Sequence, residues 1–234
     1  MSSSGHVALL PHLLGWEKPD KTFEVALHAG SAPALLLALR GERRRPDLHL
    51  LALTLAPPAL AGLAFERYVE GRLGGPRSVA VAQILAGAAL LAADRSPERR
   101  RSPSATDHLA VGAAQAVALV PGVSRYGAAL TVARLRGLSR DEAAALGLRA
   151  AVPVTAGAGL LKGARVLRQG VDPALRAPLA AGAAAALVTS LTALPLARRT
   201  RWRAIAAYRI ALGAAALGQQ IDKRRKMGVS RMAG

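Results

Sequence analysis

The stretch Pro121-Gly122-Val123-Ser124-Arg125-Tyr126-Gly127 sets a guanidinium and a hydroxyl at a Pro/Gly break between two apolar runs, 109–120 and 128–133. An arginine at such a break is costly unless it binds something. At membrane depth, irregular backbone is tolerated only where protein buries it or where it lines a polar cavity, and a charge there marks a site. Arg125 with Ser124 suits an oxyanion, most often a phosphate, because the planar fork binds two oxygens and stays charged at any working pH. Gly122, Tyr126 and Gly127 stand beside them as substrate-binding candidates, with main-chain N–H groups that point outward where a helix opens. The competing reading makes Ser124 a helix cap and Arg125 an interfacial arginine whose head reaches water.

A second group lies at the start, Ser2-Ser3-Ser4-Gly5-His6. His6 is a candidate nucleophile or general base, since an ordinary imidazole is readily deprotonated near neutral pH. By position alone it is more often a solvent-facing histidine of a frayed terminus. Ser3 and Ser4 can attack a phosphate or hold it, and the plain alternative is a flexible serine run. Glu24 sits in an apolar segment, where a carboxylate is costly unless paired. It can orient His6 or help hold a divalent cation, or simply pair with Lys21. His12, His28 and His108 offer no comparable argument, and Asp20 and Asp141 read as helix starts.

Positioning these residues falls to long apolar segments. The chain of 234 residues is 52% hydrophobic, and the runs 22–39, 48–64, 78–93, 141–161, 178–197 and 203–221 each approach the length that crosses about 30 Å of hydrocarbon. Alanine, glycine and leucine dominate them, as in closely packed membrane helices. A soluble alanine-rich bundle would carry charge along each helix. Here the charges gather between the segments, at Arg40 with 43–45, at 95 with 99–101, at 198–203 and at 223–226. That is the positive-inside pattern, so the net charge of +18 reads as membrane topology. With 3% aromatics there is no stacking platform for nucleic acid. Cysteine is absent, which excludes disulfides and thiolate chemistry. No cleavable signal peptide is visible at the start.

Placing connectors 40–47 and 94–107 in the cytoplasm puts spans 48–64 and 78–93 between them and the mixed-charge loop 65–77 outside. In the second half the basic groups at 198–203 and 222–226 flank one apolar segment and cannot share a side if it spans. The pieces 108–120 and 127–136 are each too short to cross, which fits a re-entrant helical hairpin with Pro121-Gly122 at its tip; a single kinked span is the alternative. An echo at a spacing of 120 residues sets Ser4 on Ser124 and Pro33 on Pro153. It fits a duplicated unit with half-repeats 1–93 and 108–221, in which discontinuous helices meet at the midplane. The expected architecture is all-α, one polytopic transmembrane domain over 1–234 with a basic tail, 222–234.

Three stretches together resemble the undecaprenyl-diphosphatases of bacterial membranes, also called bacitracin-resistance proteins. Ser2-Ser3-Ser4-Gly5-His6 resembles that family's Ser-Ser-Thr-Gly-His motif, and Lys21-Thr22-Phe23-Glu24-Val25 resembles its Lys-Thr-Phe-Glu-Val segment. Pro121-Gly122-Val123-Ser124-Arg125, then Gly137-Leu138-Ser139-Arg140-Asp141-Glu142-Ala143-Ala144 and Ala151-Val152-Pro153, follow in the family's order and spacing. The resemblance covers nearly the whole chain. It implies a multi-pass protein of the bacterial plasma membrane, with its site on the outer side, that hydrolyses undecaprenyl diphosphate to the monophosphate plus inorganic phosphate and so recycles the lipid carrier of cell-wall synthesis. The implied catalytic set is His6, Ser3, Arg125 and Ser124, with Ser4, Gly122, Tyr126 and Gly127 binding substrate. The partners are the lipid diphosphate and the bilayer; the sequence specifies neither a metal nor an oligomeric state.

The chain departs from that family in five places. Tyr126 replaces a serine and Ala129 a threonine of the Pro-Gly-x-Ser-Arg-Ser-Gly-x-Thr motif. Arg149 stands where the family is apolar, at a cost of roughly 2.5–3.5 kcal/mol if unpartnered, and it either reaches water or adds a second cation to the site. The acidic Glu-x-x-x-Glu helix that precedes the serines in the family has no counterpart here, and Met1 stands at a common valine position. The expectation is a GTG valine codon read as a start, with that helix encoded upstream; an immediate in-frame stop codon would refute it. These departures also admit a catalytically impaired paralogue that binds or transports polyprenyl phosphates, or a basic membrane-anchored scaffold.

Overall fold

The computed structural model describes residues 2–40, 47–99, 102–197 and 202–232. The side chains of 40, 70, 194–197 and 222–232 lie outside the description, as do Met1, 233–234 and the basic segments at 41–46, 100–101 and 198–201. The described residues form nine α-helices: α1 Ser3–Leu14, α2 Lys21–Arg40, α3 Leu48–Leu73, α4 Pro76–Asp94, α5 Ala105–Val117, α6 Arg125–Leu135, α7 Arg140–Gln169, α8 Pro173–Ala197 and α9 Trp202–Met232. Five of them, α2, α3, α4, α7 and α8, are long and apolar enough to cross a membrane. The all-α, polytopic membrane architecture expected from the apolar runs is the one that forms. The sixth expected segment, 203–221, lies inside α9 and is interrupted by Arg209.

The expected outer loop at 65–77 is mostly helix. Phe65-Glu66-Arg67-Tyr68-Val69 holds no breaker, so α3 runs past its apolar part to Leu73. Only Gly74 and Gly75 separate it from α4, which opens on Pro76, where the missing N–H costs nothing.

α5 and α6 have 13 and 11 residues, about 20 Å and 17 Å of helix, and each is shorter than the hydrocarbon core. They double back on each other. Arg136 at the end of α6 pairs with Asp107 at the start of α5 and donates to Thr106 Oγ1 at 3.0 Å. Asp107 also closes a capping box with Ser104. The sequence left a hairpin and a kinked span open, and this pairing makes a hairpin. At its tip Gly122 has φ +99°, and a Cβ there would lie 2.7 Å from the Val79 carbonyl, so only glycine fits.

α4 and α9 form the central crossing. Gly87 of α4 lies against the Ala206 carbonyl and Gly213 of α9 against the Ala80 carbonyl, a reciprocal, antiparallel contact of small residues. In α3, Pro57 and Pro58 remove the N–H groups that the Leu53 and Thr54 carbonyls would receive. Gly112 of α5 packs onto those two oxygens so closely that a Cβ would sit 2.7 and 2.8 Å away. α2 packs between α7 and α8.

One end of the bundle is tied by ions. Asp94, closing α4, accepts from Arg140 at the start of α7 at 2.8 and 3.0 Å and from Arg203 at the start of α9 at 3.3 Å. Nearby, the Arg99 N–H donates to the Gly137 carbonyl at 2.9 Å. Because α9 starts where α4 ends and runs antiparallel to it, the two ends of 203–221 lie at opposite faces. The positive-inside pattern therefore holds at only one end of this segment.

Candidate active site

The two short helices begin alike. Ser2 caps α1 and its hydroxyl accepts from the Gly5 N–H at 3.2 Å, while Ser124 caps α6 and accepts from the Gly127 N–H at 3.1 Å. Each cap makes the next residue the first of its helix, so Ser3 and Arg125 hold equivalent positions. The sequence echo paired Ser4 with Ser124; by structural role Ser2 is the counterpart, two residues earlier. At both starts the leading N–H groups have no intrahelical acceptor and the helix dipole is positive, which suits an anion. Ser4 and Tyr126 contribute main-chain donors of this kind.

α2 brings the two starts into one site. Ser3 Oγ lies 3.0 Å from His28 Nε2, and His28 Nδ1 lies 2.8 Å from the Glu24 main-chain oxygen, one turn earlier in α2. Arg125 and Lys162 are close enough to His28 to act on it electrostatically, and Glu66 acts on Arg125. Glu66 near the end of α3 and Lys162 of α7 form an ion pair at 2.5 Å. Lys162 lies 22 residues, about 33 Å of helix, beyond Arg140, so the site is well removed from the ionic end at Asp94. An apolar cleft of about 530 Å³ opens on the neighbouring face of α2, between Val25 and Ala29, Val166 of α7 and Leu179 and Ala183 of α8.

The remaining expected residues divide clearly. Ser124 is buried and serves as the helix cap of the competing reading, with its hydroxyl hydrogen still free to donate. Gly122 shapes the hairpin tip. The Tyr126 ring lies against Gly147 of α7, so the aromatic that replaces a serine packs where α7 has no side chain. Ser4 shares a hydrogen bond with Ser2 at 3.2 Å. His6 is turned to a different partner: Nδ1 faces the Ser2 carbonyl at 2.6 Å, Nε2 meets the Tyr208 hydroxyl at 2.9 Å, and the two rings stack. The main-chain oxygen of Glu24 faces His28 Nδ1. Arg149 acts on His108, which bonds to Thr54 of α3 at 2.9 Å, while Lys162 acts on His28. Among the described residues no three acidic or imidazole side chains converge as a metal site.

Sequence reasoning passed over His28, Glu66, Lys162 and Arg209. A signal existed for two of them: Glu24 and His28 are polar residues one turn apart in an apolar helix, and Arg209 is a lone charge inside an apolar run. Arg209 is fully buried; its Nε donates to Gln83 Oε1 and an Nη to the Gly122 carbonyl, both at 2.8 Å. It locks the hairpin tip against α4.

Residues 1–215 match the family described as "Bacitracin resistance protein BacA". Curated relatives include the undecaprenyl-diphosphatase of Trichlorobacter lovleyi, 32% identical over 91% of this chain and 88% of its own length. That of Gemmatimonas aurantiaca is 35% identical over the same shares, and that of Moorella thermoacetica 33% identical over 92% and 88%. A site built on the starts of two short helices within a bundle of spanning helices thus coincides with a match along most of the sequence, and the chain belongs to the bacitracin resistance protein BacA family.

Proposed function

We propose that this chain is a multi-pass enzyme of the bacterial membrane that hydrolyses undecaprenyl diphosphate to undecaprenyl phosphate and inorganic phosphate. The observation that carries the reading is the meeting of Ser3, His28 and Arg125 at the starts of α1 and α6, with a cleft lined by apolar side chains on the neighbouring face of α2. Phosphoryl transfer is catalysed mainly by positioning and charge stabilisation. Arg125 forms no hydrogen bond or ion pair among the described residues, so its fork is available to grip the terminal phosphate. The helix starts supply N–H donors, Lys162 adds charge, Ser3 presents an attacking oxygen, and the cleft takes the first part of the prenyl tail. Glu24 and Glu66 are the carboxylates nearest the site should a divalent cation bind there. The relatives' names give no support to a binding-only paralogue.

In this reading the chain is one membrane domain of two half-units, 1–93 and 108–221, each contributing one short helix to the site. Matching serine caps and the reciprocal α4–α9 crossing support that division. The test is phosphate release from undecaprenyl diphosphate by purified protein in detergent. Wild type turns over, and Arg125→Ala lowers kcat/KM by about 10²-fold or more, the scale of losing one oxyanion-binding group. Equal rates for the two proteins, or none for wild type, would refute it.

A further inference from the structure

We infer that His28 is the proton acceptor for the Ser3 hydroxyl, so that the two form a serine–histidine pair beside Arg125; the inference rests on the phosphatase reading of this site. The hydrogen positions follow from the partners. A main-chain carbonyl only accepts, so the 2.8 Å contact to the Glu24 oxygen places a proton on His28 Nδ1. In the neutral ring Nε2 then carries a bare lone pair, and the Ser3 hydroxyl, 3.0 Å away, donates to it. Nucleophile, base and orienting group are thus in hydrogen-bond sequence, with the nucleophile exposed at a helix start.

His6 obeys the same rule with a different outcome. Its Nδ1 proton goes to the Ser2 carbonyl, and its Nε2 lone pair receives the Tyr208 hydroxyl. The two histidines share a tautomer and differ in what faces Nε2, and only His28 faces a candidate nucleophile. The charged groups around His28 are Glu24 on its own helix, Arg125 from α6, Lys162 from α7 with its partner Glu66 from α3, and Arg176 from α8, which lines the apolar cleft.

In the reaction, Ser3 Oγ bonds to the terminal phosphorus as the bond from that phosphorus to the bridging oxygen breaks, and the electron pair leaves on the prenyl monophosphate. The Ser3 proton passes to His28 Nε2 and leaves with the lipid phosphate or to solvent. Water then attacks the phosphoserine and gives a proton to Nε2, which returns it to the departing Ser3 oxygen. The sum is one water consumed and two phosphates formed.

The experiment uses the purified full chain in detergent and two readouts. The first is the rate at which a fluorophosphonate probe modifies Ser3, followed by mass spectrometry across pH. Wild type labels at Ser3 with a rate that rises along one ionisation; His28→Gln, which keeps a hydrogen-bond acceptor but takes no proton, labels about 10²-fold more slowly and without that ionisation. His28→Asn guards against misfolding of one variant. The second readout is phosphate release, in which His28→Gln lowers kcat by about 10²–10⁴-fold with KM little changed. An unlabelled Ser3 in wild type, or labelling or turnover by both His28 variants at the wild-type rate, overturns the inference. Labelling of Ser3 that depends on His28, in a protein that releases no phosphate, would uphold the pair while removing the substrate reading.

Discussion

Arg125 and Arg209 are two arginines of one bundle in different surroundings, and the proposed site uses only the first. Arg209 has its donors committed to Gln83 and to the carbonyl of Gly122, and it is fully buried. Arg125 is only half-buried and has no such commitments, which leaves its fork for a ligand. Arg125→Lys should therefore lose most activity although charge is kept, because a point charge replaces a two-pronged donor. The expected fall in kcat/KM is about tenfold or more by phosphate release, roughly the 1.5–3 kcal/mol of a hydrogen bond to a charged group. Wild-type kinetics in that variant would contradict the assignment. Arg209→Met should act on stability first. It leaves the Gly122 and Gln83 oxygens buried without a donor, a cost of about 1–3 kcal/mol each, read as a lower melting temperature in detergent. An unchanged melting temperature would show that the tip is held by other contacts.

The short helices rest on that same buried pair. A Cβ at Gly5 would come within 2.5 Å of Gln83 Nε2, and one at Gly127 within 2.9 Å of an Arg209 nitrogen. Gly127→Ala should push the start of α6 off Arg209, lowering both melting temperature and turnover. Gly157→Ala in α7, where a Cβ meets nothing within 4 Å, should instead leave turnover alone and raise stability by up to about 1 kcal/mol. Equal effects of the two substitutions would mean that the contact at Gly127 is of no consequence. The elements themselves were largely legible in the sequence. Apolar runs and caps marked α2, α4, α7 and α8, and Pro121-Gly122 marked the break between α5 and α6, since these are local properties of the chain. The assembly of the site was less so. Ser3 and His28 meet across 25 residues of sequence, so no spacing rule pairs them, and the resemblance drew attention to His6. Glu66 was missed because charges after an apolar run read as a loop, whereas the helix continues through them.

For the whole molecule, the ionic end at Asp94 and the start of α4 define two faces, about 28 Å apart along its 19 residues. The chain has no cysteine, so single introduced thiols report cleanly. Gly74→Cys and Ser102→Cys should react with an impermeant maleimide from opposite sides of intact cells and inverted vesicles. Reaction of both from the same side would contradict a spanning α4.

Tyr208 and Arg209 are neighbours in α9, and one reaches α1 through His6 while the other reaches the hairpin tip through Gly122. Consecutive residues of a helix are separated by about 100° and 1.5 Å, so neither can be re-aimed without the other. The two lobes of the proposed site are therefore keyed to a single shaft. A one-residue deletion between the Asp94 tether at Arg203 and this junction would turn the shaft and withdraw both keys at once, so that the lobes fail together rather than one at a time.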